Sequence, residues 1–246
     1  MGASHGCCGM IFRDRETSRC PDLDGRQIMD ETARLHRFHF LYFADPMCSW
    51  CYGFSPVIGQ LVAAFEGRVG LRLVMGGLRA GNTQAMRDKD RAYIRDAWTR
   101  VGEASGQPFD FSFFDRETFT YDTEPACRAV VAMRQMAPDK ALGFLARVSA
   151  AFYAANRDTT DIEVLSDIAA EAGEDRAVFH GLVTSGEAKA GTMRDFLFAQ
   201  QAGVHGFPCL LIGNETDGYS LITNGFRPIA GMVAGVGAWL EQAEAA

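Results

Sequence analysis

The first regular pattern of apolar positions is a short run, Phe38–Ala44, that is rich in aromatic side chains. Such a run is typical of a strand buried on both faces of a sheet. Pro46 ends it, because proline cannot donate a ladder hydrogen bond. Apolar residues then recur at Val57-Ile58, Leu61-Val62 and Phe65. That spacing predicts a helix of about four turns.

The same kind of pattern predicts the remaining elements. A second strand, Val69–Met75, alternates along its length and ends at Gly76-Gly77. The pattern is then helical, with helices predicted over 83–105, 123–136, 139–156, 162–172 and 188–202, and an aromatic loop over 107–121. The last predicted elements are a strand over 206–213, a hairpin partner over 219–223 and a helix over 228–244.

This order of elements predicts an α/β protein. It matches a thioredoxin-like fold with a large all-helical insertion between the second and third core strands. The core is predicted over residues 37–80 and 203–246, and the insertion over 81–202. Residues 1–36 are polar and without periodicity, which predicts a disordered extension. Met29 is an alternative translation start just before the first strand.

Composition and charge say more about the classes of binding partner than about the fold. The chain has 246 residues, 48% hydrophobic and 22% charged, with a net charge of −7. Acidic balance without a basic run argues against nucleic acid and against an anionic membrane as partners. We identify neither a secretory signal nor an apolar run of the roughly 20 residues that a membrane span needs. The sequence therefore predicts a cytoplasmic protein.

The candidate chemistry is a pair of cysteines, Cys48 and Cys51, at the junction between the first strand and its helix. Unpaired N–H groups and the helix dipole favour an anion at a helix N-terminus, and the thiolate is the nucleophilic form of cysteine. Two cysteines on one helical turn can cycle between dithiol and disulfide. In the cytoplasm, a CxxC is more often catalytic or metal-binding than structural.

A zinc site is the structural alternative for this pair. It would need further ligands, for which the sequence offers His5, Cys7, Cys8 and Cys20. A Cys₄ site usually has two CxxC knuckles at a defined separation, and this chain has one. We therefore expect neither a metal nor another cofactor.

Two segments together carry a family resemblance. The segment 43–54, which reads Phe-Ala-Asp-Pro-Met-Cys-Ser-Trp-Cys-Tyr-Gly-Phe, and the segment 203–208, which reads Gly-Val-His-Gly-Phe-Pro, resemble the DsbA-like thioredoxin family. The Cys-Ser-Trp-Cys-Tyr-Gly form is similar to its FrnE-type cytoplasmic branch. The resemblance covers about residues 38–240. It implies thiol–disulfide exchange with proteins or with small thiols and disulfides, glutathione among them.

The resemblance also implies roles for individual residues. Pro208 matches the family's cis-proline opposite the active-site cysteines, and the Phe207 backbone would then lie beside Cys48 and pair with an extended substrate. Cys48 is expected to be the nucleophile, because it is closer to the helix end and more exposed, and Cys51 the resolving thiol. Ser49 and Trp50, between the cysteines, are expected to contact substrate and tune the redox potential.

Several residues keep two interpretations at this point. Asp45 is either a proton relay to Cys51 or a turn residue before proline. Cys127 and Cys209 are expected to be buried, and His39 and His205 to be structural and solvated, respectively. The phenylalanines of the aromatic loop either line a substrate groove or form the core of the insertion. These phenylalanines are Phe109, Phe111, Phe113 and Phe114.

Three functions fit the sequence. The first is a protein-disulfide oxidoreductase of reductase or isomerase type that works through a mixed disulfide. The second is a glutathione-dependent transferase or isomerase, like the kappa-class transferases and hydroxychromene-carboxylate isomerases. Those relatives typically carry serine where this chain has Cys48. The third is a binding module without catalysis, since fold does not fix function.

Overall fold

A computed structural model describes residues 36–245. The predicted extension 1–36, apart from His36, lies outside the described residues, and so does the alternative start at Met29. The elements are β1 Phe38–Ala44, α1 Ser49–Ala64, β2 Val69–Met75, α2 Asp88–Ser105, α3 Glu124–Met136, α4 Ala141–Tyr153, α5 Ile162–Glu171, α6 Arg176–Val183, α7 Gly186–Gln201, β3 Cys209–Asn214, β4 Gly218–Asn224 and α8 Met232–Glu244. Within this part of the chain, every helix is too short or too polar to cross a membrane.

The described strands form one sheet in the order β2-β1-β3-β4. β1 and β2 run parallel in a register that pairs Phe38 with Val69 and Ala44 with Met75. β3 is antiparallel to β1, and β4 is antiparallel to β3. Helix α1 connects the parallel pair, and the long helical segment separates β2 from β3. This is the predicted thioredoxin-like fold, with its insertion between the second and third strands.

The side chains of β1 alternate between two buried layers, as the period of a strand requires. Phe40 and Tyr42 belong to the larger core, which α1, α8 and the inserted helices share. Leu41 and Phe43 face the other layer, where the Phe43 ring stacks on Phe198 of α7 at 5.8 Å between centroids. Both faces of β1 are therefore covered, which explains its continuous apolar sequence. Helix α7 packs on the sheet although it lies within the segment predicted as an insertion.

An aromatic cluster around Trp98 of α2 forms the centre of the inserted helices. Six aromatic rings have centroids 4.9–6.0 Å from that of Trp98. They are Phe109, Phe111, Phe113, Phe114, Phe152 and Tyr153. Phe113 is fully buried. The aromatic loop, which contains a 3₁₀ turn over Phe111–Asp115, is therefore part of the core of the insertion. The packing supports the core interpretation most fully for Phe113 and Phe114, which are buried, whereas Phe109 and Phe111 are half-buried.

The largest corrections to the predicted helices concern α2, α6 and α8, of which α8 begins at Met232 instead of residue 228. α2 begins at Asp88 instead of residue 83, because Asn82 forms a turn by accepting the Gln84 N–H and Arg87 then caps the helix with Asp90. α6 was not predicted. It begins where the Asp175 side chain accepts the Val178 N–H, an N-cap that the sequence analysis overlooked.

Proline in the second turn of α1 leaves one carbonyl without its helical donor. Pro56 has no N–H to give to Tyr52, four residues earlier. The Gln107 side-chain amide donates to that Tyr52 carbonyl at 3.2 Å, and the Tyr52 hydroxyl donates to the Pro108 carbonyl at 3.1 Å. The segment after α2 thus compensates the proline and fixes α1 against the insertion.

Close packing between α1 and α2 gives a testable pair of glycine substitutions. A Cβ at Gly53 would lie 2.8 Å from Val101 Cγ1, whereas a Cβ at Gly59, on the same helix, meets nothing within 4 Å. We expect Gly53→Ala to destabilise the protein by about 1–3 kcal/mol through overpacking. Gly59→Ala should stabilise it by about 0.5–1 kcal/mol through helix propensity. Urea unfolding of both variants measures this, and equal effects would contradict the packing.

His39 is structural, as expected, and makes stability depend on pH. It is buried and hydrogen-bonded to Tyr219. Burial, with a smaller contribution from the Arg72 charge, lowers its pKa from 6.5 to about 4. Between these values the unfolded chain binds a proton that the folded chain does not, so the stabilising contribution of neutral His39 is present above about pH 6.5 and is lost towards pH 4.

We expect wild type to lose about 2–3 kcal/mol more stability than His39→Gln between pH 7 and pH 4.5. Urea unfolding at the two pH values measures the difference. The variant serves as the reference for all other titrating groups. Parallel pH dependence of the two proteins would show that His39 is not held neutral in the folded state.

Candidate active site

Cys48 occupies the N-cap position of α1, directly after the turn that follows β1. Its N–H donates to the Asp45 carbonyl at 3.0 Å, and its own carbonyl accepts the first helical hydrogen bond, from Tyr52 N, at 3.0 Å. Within the described residues, the Cys48 side chain makes no capping hydrogen bond, and the first turn of the helix holds no acidic residue. The positive end of the helix dipole is therefore left for the Cys48 sulfur, as the sequence predicted.

The loop before β3 brings Pro208 to the same place. The Phe207–Pro208 peptide bond is cis, and the Cys48 thiol donates to the Phe207 carbonyl at 3.5 Å. The Phe207 ring lies against Gly76 at the end of β2, where a Cβ would come within 2.0 Å of it. Glycine at position 76 thus makes room for the ring. Cys48, Phe207 and Pro208 are together, as the resemblance implied.

Cys51 lies one helical turn further on, and its side chain is buried. Burial raises its pKa well above the usual value, and the adjacent Cys48 thiol and the Asp45 charge act in the same direction. Both thiols are unoxidised in this structure. Cys48 is 5% exposed and Cys51 is 3% exposed. Cys48 is therefore only slightly more exposed than Cys51, although a clear difference was expected. The two cysteines differ instead in their position relative to the helix end and Phe207.

The Asp45 carboxyl is fully buried beneath this turn. Oδ1 accepts the Met47 N–H at 2.8 Å, and Oδ2 accepts the Leu78 N–H at 2.7 Å and the Cys127 thiol at 3.5 Å. Burial raises the pKa of Asp45, although these donors and the Thr123 hydroxyl act to lower it. Asp45 is thus a turn residue that also faces Cys51 electrostatically, and the two predicted roles are compatible.

Ser49 and Trp50 lie between the cysteines and are half-buried. The Trp50 ring packs against Phe226, after β4, at 5.8 Å between centroids. Trp50 therefore lies beside the loop that follows β4. Its partner Phe226 was not singled out from the sequence, since it belongs to a loop without any periodic pattern.

The insertion holds the turn that precedes Cys48. Ser149 of α4 donates to the Pro46 carbonyl at 2.8 Å, and the Tyr121 hydroxyl donates to the Met47 carbonyl at 2.7 Å. Tyr121 in turn contacts the Tyr153 hydroxyl at 3.1 Å. Because the single Tyr121 proton is used on Met47, Tyr153 is the donor of that second hydrogen bond. The sequence analysis did not identify the Ser149 and Tyr121 hydroxyls as contacts of the turn, since both residues lie far from it in sequence.

The other candidates lie away from the cysteine pair or outside the described residues. Cys209 is buried in the α7 layer of the sheet, and His205 is exposed in its loop. The additional ligands of the zinc alternative all lie outside the described residues. In residues 36–245, no group of three or more His, Cys, Asp or Glu side chains is arranged to hold a metal ion.

The family model described as a DSBA-like thioredoxin domain matches residues 41–230. The chain belongs to the DsbA-like thioredoxin family. The match extends from β1 to the loop before α8, and so includes both the cysteine pair and the segment with Pro208. The family match thus covers both the strands of the sheet and the inserted helices.

Among solved structures of similar fold is a candidate protein disulfide isomerase from Nitrosomonas europaea. It is 35% identical, with a TM-score of 0.78, over 84% of this chain and 98% of that one. The cytosolic disulfide reductase DsbM from Pseudomonas aeruginosa is 24% identical, with a TM-score of 0.68, over 83% of this chain and 99% of that one. DsbM has also been solved with GSH.

The DsbA-like chain also matches a curated protein, the ClpXP adapter protein SpxH of Halalkalibacterium halodurans. The two are 26% identical over 153 residues, which are 60% of this chain and 50% of that protein. The chain thus spans about half the length of this relative. The adapter activity belongs to SpxH and is not carried over by a match of this extent.

Proposed function

We propose that the protein is a thiol–disulfide oxidoreductase of protein disulfide reductase or isomerase type that uses Cys48 and Cys51 through a mixed disulfide. The observation that carries this proposal is the Cys48 thiol at the N-terminus of α1, 3.5 Å from the Phe207 carbonyl. A helix N-terminus stabilises the thiolate, which is the attacking species in disulfide exchange. The raised pKa of buried Cys51 keeps that second sulfur protonated until it is needed.

In the first step the Cys48 thiolate attacks one sulfur of a substrate disulfide. A bond forms between these two sulfurs, the substrate S–S bond breaks, and the other substrate sulfur leaves as a thiolate. Cys51 then attacks the Cys48 sulfur, its proton passes to Asp45, and the second substrate thiolate leaves. The substrate gains two electrons, and the enzyme holds a Cys48–Cys51 disulfide.

Phe207, Pro208, Ser49 and Trp50 are proposed to form the substrate-contacting rim. An extended substrate segment would pair with the Phe207 backbone in the manner of strand addition. Return to the dithiol requires a reductant, for which we propose a small thiol such as glutathione; the DsbM structure with GSH supports this choice. The FrnE-type assignment and the cytoplasmic location stay predictions, and the cytosolic DsbM relative is consistent with the latter.

A redox titration tests the proposal. The full-length protein carrying Cys7→Ser, Cys8→Ser and Cys20→Ser is equilibrated in graded glutathione buffers, and alkylation with mass spectrometry then gives the Cys48–Cys51 state. We expect one two-electron transition. A potential near about −270 mV would indicate a thioredoxin-like reductant, and about −200 mV or higher an isomerase or oxidase. A pair that forms no disulfide in any buffer would refute the proposal.

A further inference from the structure

A third buried thiol contacts the carboxylate beneath the cysteine pair. Cys127 lies in the first turns of α3, where its N–H donates to the Thr123 carbonyl at 3.0 Å. Its side chain is fully buried, and its sulfur lies 3.5 Å from Asp45 Oδ2. The proposed exchange mechanism does not use this thiol.

The position of Cys127 makes it an unsuitable redox residue. It has no exposed surface, and both burial and the Asp45 charge raise its pKa well above the usual value. A protonated thiol without access to solvent neither attacks disulfides nor reacts readily with oxidants. Its chemistry in the folded protein is therefore that of a hydrogen-bond donor.

The donors around Asp45 differ in origin. The Met47 and Leu78 N–H groups belong to the main chain and hold the carboxylate to the turn and to the segment after β2. Among the described side chains, the donors are Thr123 and Cys127, which both come from the start of α3. The inserted helix α3 thus supplies the side-chain contacts that orient the carboxylate of the core strand.

We propose that Cys127 is a positioning residue, which holds the Asp45 carboxylate in the orientation from which it accepts the Cys51 proton. This inference rests on the proposed function. A thiol is a weak donor, so it orients the carboxylate while leaving more of its basicity than a hydroxyl at the same position would. Cysteine at position 127 suits a carboxylate that must both stay in place and take up a proton.

Four titratable groups face Asp45. They are Cys51 of α1, Tyr121 before α3, Cys127 of α3 and Tyr153 of α4. Burial raises the pKa of each of these four groups, so none of them loses its proton between pH 4 and 7. The small thiolate fraction of Cys51 rises steadily with pH throughout that range. An acidic limb that levels off within the range is therefore assigned to Asp45.

The two steps can be separated with an aromatic disulfide such as dithiobis(nitrobenzoate), used on full-length protein with Cys7, Cys8 and Cys20 replaced by serine. Attack by Cys48 releases one thionitrobenzoate, and attack by Cys51 on the resulting mixed disulfide releases the second. The rate of the second release is then measured against pH. Asp45→Asn is the reference in which the carboxylate is removed.

We expect Cys127→Ala to shift the acidic limb of the second release upward by about 0.5 pH unit, the low end of the loss of one hydrogen bond to the carboxylate, because the thiol is a weak donor. Cys127→Ser keeps a donor, and its limb should stay at or below the wild-type position. The first release should be unchanged in both variants. Val130→Ala, a buried truncation on the same helix, controls for loosened packing and should keep the wild-type limb.

The outcomes separate the inference from the function on which it rests. If Asp45→Asn changes the pH profile and Cys127→Ala does not, Cys127 does not position the carboxylate and the inference is wrong. If Val130→Ala shifts the limb as much as Cys127→Ala, the effect is one of packing and the inference is also wrong. If Asp45→Asn leaves the second release unchanged, the relay itself fails, whereas absence of any second release would refute the Cys48–Cys51 mechanism.

Discussion

Cys48→Ser will abolish disulfide exchange, and Cys51→Ala will stop it at the mixed disulfide. A serine hydroxyl at the N-terminus of α1 does not ionise near neutral pH, so it cannot replace the thiolate as nucleophile. With Cys51 removed, Cys48 can still attack a substrate, but nothing expels the second substrate sulfur. Mass spectrometry after reaction with a disulfide substrate should therefore find a stable adduct at Cys48 in Cys51→Ala and none in Cys48→Ser.

Cys209→Ala is the matched control for these two variants, because Cys209 is a buried cysteine on the opposite layer of the sheet. It should retain exchange at close to the wild-type rate. Exchange that survives in Cys48→Ser would contradict the assigned nucleophile. Glutathione-dependent isomerisation that survives in Cys48→Ser, with disulfide exchange lost, would instead favour the transferase or isomerase alternative.

Removing the buried carboxylate of Asp195 should cost about 2–4 kcal/mol of stability, less than breaking a fully buried ion pair from one side, because the Arg134 side chain is 20% exposed. Asp195 of α7 is 1% exposed. It accepts two hydrogen bonds from Arg134 of α3, at 2.9 and 3.0 Å, and the Met75 N–H at the end of β2, at 2.9 Å. Asp195→Ala would leave a guanidinium and a strand N–H without this acceptor. Urea unfolding at pH 7 measures the loss.

The exposed pair of Asp96 and Arg100 on α2 is the control, since its side chains are 68% and 54% exposed. Asp96→Ala should change stability by less than about 1 kcal/mol. Replacing Arg134 and Asp195 together by leucine should cost less than the sum of the two single changes, because no charge is then left buried alone. Similar losses for Asp195→Ala and Asp96→Ala would show that the buried pair does not join α3, α7 and β2.

Much of the fold followed from periodicity. β1 and β2 have the predicted bounds, because a continuous apolar run and an alternating one are each distinctive over seven residues. The largest errors fall at helix starts, where α8 also begins four residues later than predicted. α2 begins five residues later than predicted and α6 was missed, since Asn82 and Asp175 act through side-chain hydrogen bonds with local backbone, which periodicity does not register.

The site was predictable to the extent that its residues lie on one short segment. Cys48, Cys51 and Asp45 share a strand, a turn and the first turn of a helix, so a local pattern is enough to place them together. Pro208 required the family resemblance, because it approaches Cys48 from 160 residues further along the chain. Tyr121 and Cys127 were not predicted to reach the site, since neither carries a local pattern that relates it to the turn.

The sequence by itself determined the order of the elements and the presence of a thiol pair at a helix start, because both depend on side chains that are close in sequence. Only the tertiary structure decided what surrounds that pair. Burial of Asp45 and Cys51 raises the pKa of both groups, and hydrogen bonds from Ser149 and Tyr121 hold the turn before Cys48. Burial and long-range hydrogen bonds arise when separate helices pack around one strand end, so no local stretch of sequence encodes them.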